Sequence, residues 1–185
     1  MAKFHVLSAG YGGDRVASTV SLVVSEDYLV VIDPGMVSSR SVILDPIERL
    51  GYRPDDITDV VISHHHPDHT INIALFPKAR VHDHWAIYEG DAWDSRAAEG
   101  FEVAPHVTLW ETPGHTPQDI TTMVQAGDEL VAFTHLWWYQ TAPYHDPLCT
   151  HPDSLHAGRE RVLKVATLIV PGHGGPFIPD ASTSR

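Results

Sequence analysis

The sequence is poor in cysteine and in positive charge. It has one cysteine, Cys149, among 185 residues, so no disulfide bond can form within the chain. Lysine and arginine together number 12 against 24 acidic residues, which gives a formal net charge of -12 at pH 7. Long polyanions are held by clustered Lys and Arg, so the composition argues against them as partners. A short RNA therefore has no support from charge, whereas a small-molecule substrate held at a metal ion is compatible with it.

Long apolar segments are missing as well. Residues 1–5 lack the apolar character of a signal peptide, and no apolar run is long enough to span a bilayer. We therefore expect a cytoplasmic protein with no membrane partner. The hydrophobic share of 43% and the charged share of 19% are typical of a globular chain, and the length predicts one domain over residues 1–185. The sequence makes no prediction about the oligomeric state.

Histidine, in contrast, is abundant, with 14 residues. The densest group runs from His64 to His69 and follows residues 58–62, an apolar run that predicts a buried strand. Read as His-x-His-x-Asp-His, it places four side chains that can ligate a metal within six residues. The spacing puts His64 and His66 on the same side of an extended chain and turns His65 outward.

Two further histidines also follow predicted strands. His115 lies in Thr-Pro-Gly-His after residues 107–111, and His173 lies in Pro-Gly-His-Gly after residues 168–170. Glycine and proline favour tight turns, so rigid backbone aims each imidazole. Three strand ends that deliver histidines to one sheet edge predict a metal site, in preference to a solvated histidine-rich loop.

The apolar and turn patterns predict an α+β architecture of two sheets packed face to face with helices outside. Residues 84–100 are predicted to be a loop with helical turns, and the aromatic residues 136–152 a long loop. The predicted strands are residues 4–7, 18–24, 28–32, 59–63, 80–82, 107–111, 120–125, 130–134 and 168–170. The predicted helices run from Ser38 or Ser39 to Leu50, over residues 70–76, and over residues 153–166 with Asp153 as the cap.

Four motifs occur in the order found in the metallo-β-lactamase fold superfamily, which the chain resembles. They are Asp33-Pro34-Gly35, His64-His65-His66-Pro67-Asp68-His69, Thr112-Pro113-Gly114-His115 and Pro171-Gly172-His173-Gly174. The resemblance implies an αββα sandwich of two mixed sheets with outer helices. It also implies a dinuclear metal site at one edge, usually zinc, with iron or manganese as alternatives.

The resemblance further implies how the ligands are shared. His64, His66 and His115 would form the first site, and Asp68, His69 and His173 the second. Asp33 would orient a ligand from outside the metal's own shell; a turn-forming aspartate before proline is the alternative. Within the superfamily, residues 72–77 and 159–174 are most similar to the compact metallo-β-lactamase domain-containing protein 1 type. That subgroup implies a minimal hydrolase for which RNA is the proposed substrate.

His135 marks a departure from the family pattern. Many members carry, after the strand that precedes the late helix, an aspartate that bridges the two metals. Here that strand is residues 130–134, and His135 follows it. Neutral imidazole offers one lone pair and cannot bridge as a carboxylate does. We expect His135 to bind only the second metal or to be a nearby hydrogen-bond donor. The second ion should then be held more loosely, or the two ions should be tied mainly by a bridging hydroxide. An incidental loop histidine is the alternative.

These residues predict a metal-dependent hydrolase in which a metal-bound hydroxide attacks a carbonyl or phosphoryl centre. Asp68 is the predicted catalytic residue, because it can orient the nucleophile and pass its proton to the leaving group. The resemblance implies a small ester, lactone, β-lactam-like amide or phosphodiester as the substrate, and residues 137–139 with Tyr144 are candidates for a pocket wall. Three alternatives stay open: an RNA-directed metallonuclease, a non-enzymatic metal-binding protein and an iron-dependent oxidoreductase.

Overall fold

The computed structural model describes residues 1–185. None of its helices has the length and apolarity that a membrane crossing requires. The strands are β1 Lys3–Ser8, β2 Val20–Ser25, β3 Tyr28–Ile32, β4 Asp59–Val61, β5 Arg80–His82, β6 Ala86–Glu89, β7 Ala92–Ser95, β8 Glu102–Ala104, β9 Val107–Glu111, β10 Ile120–Ala126, β11 Glu129–Thr134 and β12 Leu168–Pro171. The α-helices are α1 Ser41–Arg49, the single turn α2 Pro67–Thr70, and α3 Pro152–Leu163; short 3-10 segments cover Pro54–Asp56 and Ile73–Leu75.

The strands form two sheets, and each sheet is mixed. The larger sheet has the order β1-β2-β3-β4-β5-β6-β7, and β3, β4 and β5 run parallel to one another. The smaller sheet has the order β12-β11-β10-β9-β8, with only β11 and β12 parallel. Strands β4, β11 and β12 end at the loops that carry His64, His135 and His173, and β9, which runs in the same direction as β11, ends at the loop of His115. The topology therefore gathers those loops at one edge.

An apolar core between the two sheets holds them together. Val30 and Val61 of the larger sheet meet Leu109, Val124 and other small-sheet residues in one buried cluster. Side chains along a strand alternate between the two faces of its sheet. Apolar residues on the outer face of each sheet must therefore be buried by other elements. Burial of about 25 cal/mol per Å² of apolar surface drives this layering.

A helix covers the outer face of each sheet. Ile43 and Ile47 of α1 are fully buried with Val31 and Val60 of the larger sheet. Leu155 and Val162 of α3 are buried with Met123, Ala132 and Ile169 of the smaller sheet. The four layers are therefore helix, sheet, sheet and helix, which confirms the predicted α+β αββα sandwich.

The prediction of a loop with helical turns over residues 84–100 is wrong. Strands β6 and β7 form an antiparallel hairpin there, with Glu89 paired to Ala92. The two-residue turn between them contains Gly90, whose φ of 60° is easy for glycine. All four residues of β7 are exposed, so the strand has no apolar alternation for a sequence pattern to reveal. Strand β8 is short and was not predicted either.

The helix starts also differ from those predicted. Helix α1 begins at Ser41, with Arg40 as its N-cap and Pro46 inside it without a break. Helix α3 begins at Pro152 after His151, so Asp153 is not its cap. The His64–His69 motif, which lies between a predicted strand and a predicted helix, contains the single turn α2, which starts at Pro67 because proline is favoured at the first helical position.

Candidate metal centre

Three imidazole nitrogens converge at the end of β4. His64 Nε2 lies 3.0 Å from His66 Nδ1, and His115 Nε2 lies 3.1 Å from the same atom. His64 and His115 are buried, whereas His66 is exposed at the mouth of the site. The first group predicted from the motifs is therefore brought together in space.

The spacing of these nitrogens suits a metal ion. Tetrahedral zinc binds nitrogen at about 2.0–2.1 Å, which places two such nitrogens roughly 3.3–3.4 Å apart. The observed 3.0 and 3.1 Å are close to that value. His115 Nδ1 is buried without a hydrogen-bond partner, so His115 has no competing partner that would turn its ring away. The donor set of the first group fits a metal.

The second group lies beside the first. Asp68 Oδ2 is 3.5 Å from His69 Nε2 and 3.6 Å from His173 Nε2. His69 Nε2 is buried and has no hydrogen-bond partner. His173 Nδ1 lies 2.9 Å from the carbonyl oxygen of Ala17 and donates to it, which leaves the Nε2 lone pair free for a metal. Asp68, His69 and His173 thus form the predicted second group.

Asp33 fixes the orientation of this group. It follows β3 with a left-handed φ of 50°, a conformation that aspartate tolerates better than most residues. Its Oδ1 accepts the Ser63 amide at 2.6 Å, and its Oδ2 accepts the Ser63 hydroxyl and His69 Nδ1, both at 2.8 Å. The Asp33 carboxylate therefore sets the tautomer of His69, with Nδ1 protonated and Nε2 facing the second group.

Replacing Asp33 with asparagine should weaken zinc binding by about 10–100-fold, the usual effect of losing such an outer partner. The amide can no longer accept from both Ser63 and His69 Nδ1. Competition with a chromogenic chelator measures the affinity. Asp45→Asn, on the exposed face of α1, is the matched control, and equal affinities for the two variants would contradict the assigned role of Asp33.

His135 lies where the two groups meet. Its Nε2 is 3.0 Å from His173 Nε2, and it also groups with His64 and His69 at ligand distances. Gly172 makes room for this ring, because a Cβ there would come within 2.5 Å of His135 Cδ2. The structure therefore places His135 inside the site, beside the second group. Its part as a ligand stays a prediction.

Burial keeps most of these imidazoles neutral. Burial, together with repulsion from neighbouring histidines, lowers the pKa of His64 and of His135 well below 6.5. The same causes lower the pKa of His115 to about 4. Burial alone would lower the pKa of His69, but attraction to Asp33 and its hydrogen bond outweigh burial and raise it. Neutral imidazole has the free lone pair that a metal requires.

The loop that carries His115 is held from two sides. Asp119 accepts the Thr116 amide at 2.9 Å and the Thr116 hydroxyl at 2.5 Å, and burial raises the pKa of Asp119 to about 6. From the other side, Thr150 Oγ1 donates to the His115 carbonyl at 2.9 Å. Gly114 lets this loop lie close to α3, because a Cβ there would come within 2.9 Å of Leu155 Cδ1 and 3.2 Å of Leu155 Cα. Sequence patterns reveal neither Asp119 nor Thr150.

A cleft of about 540 Å³ leads to the two groups. It is lined by Gly13, Val16, His66, Asp68, His115, Trp138 and Leu148. Of the predicted aromatic candidates, Trp138 forms a wall, and its ring lies against His173 at a tilt of 31° with ring centroids 4.5 Å apart. Trp137 is fully buried in the core beneath α3, so it is not a wall of this cleft.

The aromatic loop over residues 136–148 is anchored by a buried arginine. Arg159 of α3 donates from Nε to the Leu136 carbonyl at 2.8 Å and from Nη1 to the carbonyls of Pro143 and Tyr144 at 3.1 and 3.2 Å. Arg159 is fully buried and has no carboxylate partner. Hydrogen bonds from a charged donor replace hydration and tie this loop to the helix.

Removing this anchor should be costly. Arg159→Ala leaves three carbonyls without their donor, and we expect a loss of about 3 kcal/mol or more in the free energy of unfolding. Arg159→Lys should lower the free energy of unfolding by less, because lysine keeps the charge and can make one of the hydrogen bonds. Urea denaturation provides the measurement, with the exposed Arg49→Ala in α1 as the control. A change under about 0.5 kcal/mol for Arg159→Ala would show that the bonds do not stabilise the fold.

Two other histidines differ in their surroundings. His82, which the sequence suggests is a surface or loop residue, is buried and donates to Asp59 Oδ1 at 2.8 Å. His65 is exposed as predicted, and its Nε2 lies 2.9 Å from Asp83 Oδ2. Neither lies within the two candidate ligand groups.

A comparison with known families finds a match over most of the chain. The model of the metallo-beta-lactamase superfamily matches residues 13–178. The chain is 33% identical over 192 residues to metallo-beta-lactamase domain-containing protein 1 of Xenopus laevis, covering 94% of this chain and 80% of that protein. It is 33% identical over 157 residues to the Homo sapiens protein of the same name, covering 80% of this chain and 59% of that one.

Solved structures share the fold at lower identity. A protein from Thermotoga maritima superposes with a TM-score of 0.75 at 22% identity, covering 96% of this chain and 99% of its own. A protein in a di-iron-bound form superposes with a TM-score of 0.71 at 19% identity, covering 96% of this chain and 98% of its own. A dizinc quorum-quenching lactonase in complex with a product superposes with a TM-score of 0.64 at 18% identity, covering 90% of this chain and 77% of its own. At these identities the likeness concerns the fold.

Proposed function

The chain belongs to the metallo-beta-lactamase superfamily, and from that premise we propose that it is a hydrolase that works with two metal ions, zinc in the first instance. The observation that carries the proposal is the approach of His64 Nε2 and His115 Nε2 to within 3.0 and 3.1 Å of His66 Nδ1. A carboxylate and two more imidazoles lie alongside. Such convergence of lone pairs is unfavourable unless a cation or protons offset it.

The donor set supports zinc over harder ions. Six imidazoles and one carboxylate, from His64, His66, Asp68, His69, His115, His135 and His173, surround the site. Imidazole suits zinc, iron and copper, whereas magnesium and calcium prefer oxygen. Zinc and iron are both found in proteins with this fold, so metal analysis decides between hydrolytic zinc and redox-active iron.

Two bound ions would lower the pKa of a coordinated water to about 7 and so make hydroxide available at neutral pH. Around them the chain contributes orientation and proton transfer. Asp68 lies on the wall of the cleft, and 17% of its side chain is exposed. From there we assign it to orient the attacking water and to hand the proton to the leaving group.

The surroundings of the cleft favour small substrates over RNA. No lysine or arginine lines it, and the chain carries a net charge of -12. Phosphate backbones are bound chiefly through such cations. We therefore propose a small ester, lactone or amide as the substrate and place RNA second. A product-bound lactonase shares the fold.

A panel of p-nitrophenyl esters, γ- and δ-lactones, nitrocefin and a bis-p-nitrophenyl phosphodiester tests the proposal. We expect turnover of at least one carbonyl substrate that is lost after dialysis against a chelator and restored by zinc. Failure of every substrate in zinc-loaded protein would favour a non-enzymatic metal-binding protein. A coloured, iron-loaded protein that consumes oxygen would favour the oxidoreductase.

A further inference from the structure

A second pocket adjoins the metal cleft. It has a volume of about 170 Å³ and is lined by Trp138, Tyr139, Ala142, Pro143, Asp146, Pro147 and Leu148. Trp138 and Leu148 line both spaces. Because the Trp138 ring also contacts His173, a group held in this pocket lies one ring away from the second metal-ligating group.

The walls of this pocket are mostly apolar. A cavity lined by polar groups holds water, whereas a cavity lined by apolar side chains favours an apolar ligand. In another protein, an enclosed apolar cavity of about 150 Å³ stays dry and binds benzene. Leu148 is 56% exposed and Tyr139 is 39% exposed. Apolar surface left open beside a reactive centre is typical of ligand sites.

The charge of the pocket is negative. Asp146 is its single charged lining residue, and no lysine or arginine lines either space. The Asp146 oxygens accept the Trp138 indole N–H at 3.1 Å and the Leu148 amide at 2.9 Å. These neutral donors hold the carboxylate in place at the pocket wall. The nearby Arg159 guanidinium offsets part of its charge but does not line the pocket, so an anion that entered would still meet the carboxylate first and be repelled.

We propose that this pocket binds a neutral apolar part of the substrate, a ring or a short alkyl chain, and that Asp146 makes the site reject carboxylate and phosphate groups there. The inference rests on the proposed hydrolase function for its link to turnover. Asp146 has two effects in this account. It positions Trp138 as the wall shared with the metal cleft, and its charge sets the specificity.

A matched ester series tests the consequence for turnover. We expect kcat/KM to rise about tenfold or more from p-nitrophenyl acetate to the hexanoate as methylenes are buried. The adipate half-ester has the same chain length and ends in a carboxylate, so its kcat/KM should be no higher than that of the acetate. Ala142→Leu, which fills the pocket, should bring the kcat/KM values for the hexanoate and the acetate within about twofold of each other. Ala157→Leu on the exposed face of α3 is the size-matched control.

Two further variants test the pocket even if one of the substituted proteins fails to fold. Leu148→Ala removes an exposed wall, so it should lose the chain-length preference even if Ala142→Leu does not fold. Asp146→Asn removes the charge and should narrow the gap between the hexanoate and the adipate half-ester by about tenfold. Unchanged discrimination in Asp146→Asn would overturn the assignment of charge rejection to this residue.

Binding without turnover separates this inference from the proposed function. Calorimetry should detect hexanamide, with adipamic acid, its carboxylate-ended counterpart, at least tenfold weaker, and Ala142→Leu should abolish the hexanamide signal. If the esters are hydrolysed with no chain-length preference and hexanamide does not bind, the pocket assignment is wrong and the hydrolase stands. If hexanamide binds as expected and no ester is hydrolysed, the pocket assignment stands and the hydrolase fails.

Discussion

Replacing His66 with alanine is expected to lower metal-dependent kcat/KM by about a thousandfold or more. His66 Nδ1 is the atom that both His64 Nε2 and His115 Nε2 approach, so its loss removes the centre of the first group. Metal catalysis supplies several kcal/mol of transition-state stabilisation, and about 1.4 kcal/mol corresponds to each factor of ten. Because His66 is exposed, its removal should leave the free energy of unfolding of the metal-free chain nearly unchanged.

His65→Ala is the matched control for this substitution. His65 belongs to the same motif but faces outward, where it contacts Asp83 and the Trp85 ring. We expect its kcat/KM to stay within about twofold of wild type, as for most surface substitutions. Kinetics and metal content measured together give the comparison. Equal activity of the two variants would refute the assignment of the first group.

Replacing Gly35 with alanine is the second change expected to have a large effect. Gly35 follows β3, and a Cβ there would lie 1.6 Å from the Asp68 carbonyl oxygen and 2.6 Å from His69 Cα. The backbone that holds both residues must therefore move away. Displacing reacting groups by about 1 Å can cost roughly a hundredfold in rate, so we expect at least that loss in kcat/KM together with weaker binding of the second ion.

Gly175→Ala is the control for the glycine substitution. No atom lies within 4 Å of a Cβ built at Gly175, so the added methyl meets open space near the site. Zinc titration and circular dichroism should show wild-type affinity and fold for Gly175→Ala. Gly35→Ala should retain its secondary structure and lose the second ion first. A Gly35→Ala protein that binds two ions like wild type would contradict the described packing of the turn.

Local motifs explain why much of the site was foreseeable. The histidines that follow strand ends, and the aspartate that follows β3, are carried by short patterns in which turn residues adjoin ligand types. Strands β3, β5 and β9 begin and end where apolar periodicity predicted. The similarity to metallo-beta-lactamase domain-containing protein 1 confirms the subgroup expected from residues 72–77 and 159–174.

Long-range contacts explain what was missed. The Ala17 carbonyl that holds His173 Nδ1 lies 156 residues away in sequence, and a backbone carbonyl leaves no residue-type signal. Arg159 of α3 finds its carbonyl partners only when the aromatic loop folds over it. Trp137 and Trp138 are neighbours of the same type, yet one is core and the other lines the cleft. Only the three-dimensional arrangement separates them.

The metal content of the purified protein decides whether the two histidine groups form a metal centre. We expect two ions per chain after zinc loading, one that resists a mild chelator and one, beside His135, that exchanges. His135 supplies no negative charge to help hold that second ion, as a bridging carboxylate would. Two ions that both resist chelation would contradict the weakened second site. A chain that binds no metal after zinc loading would contradict the assignment of both groups as a metal centre.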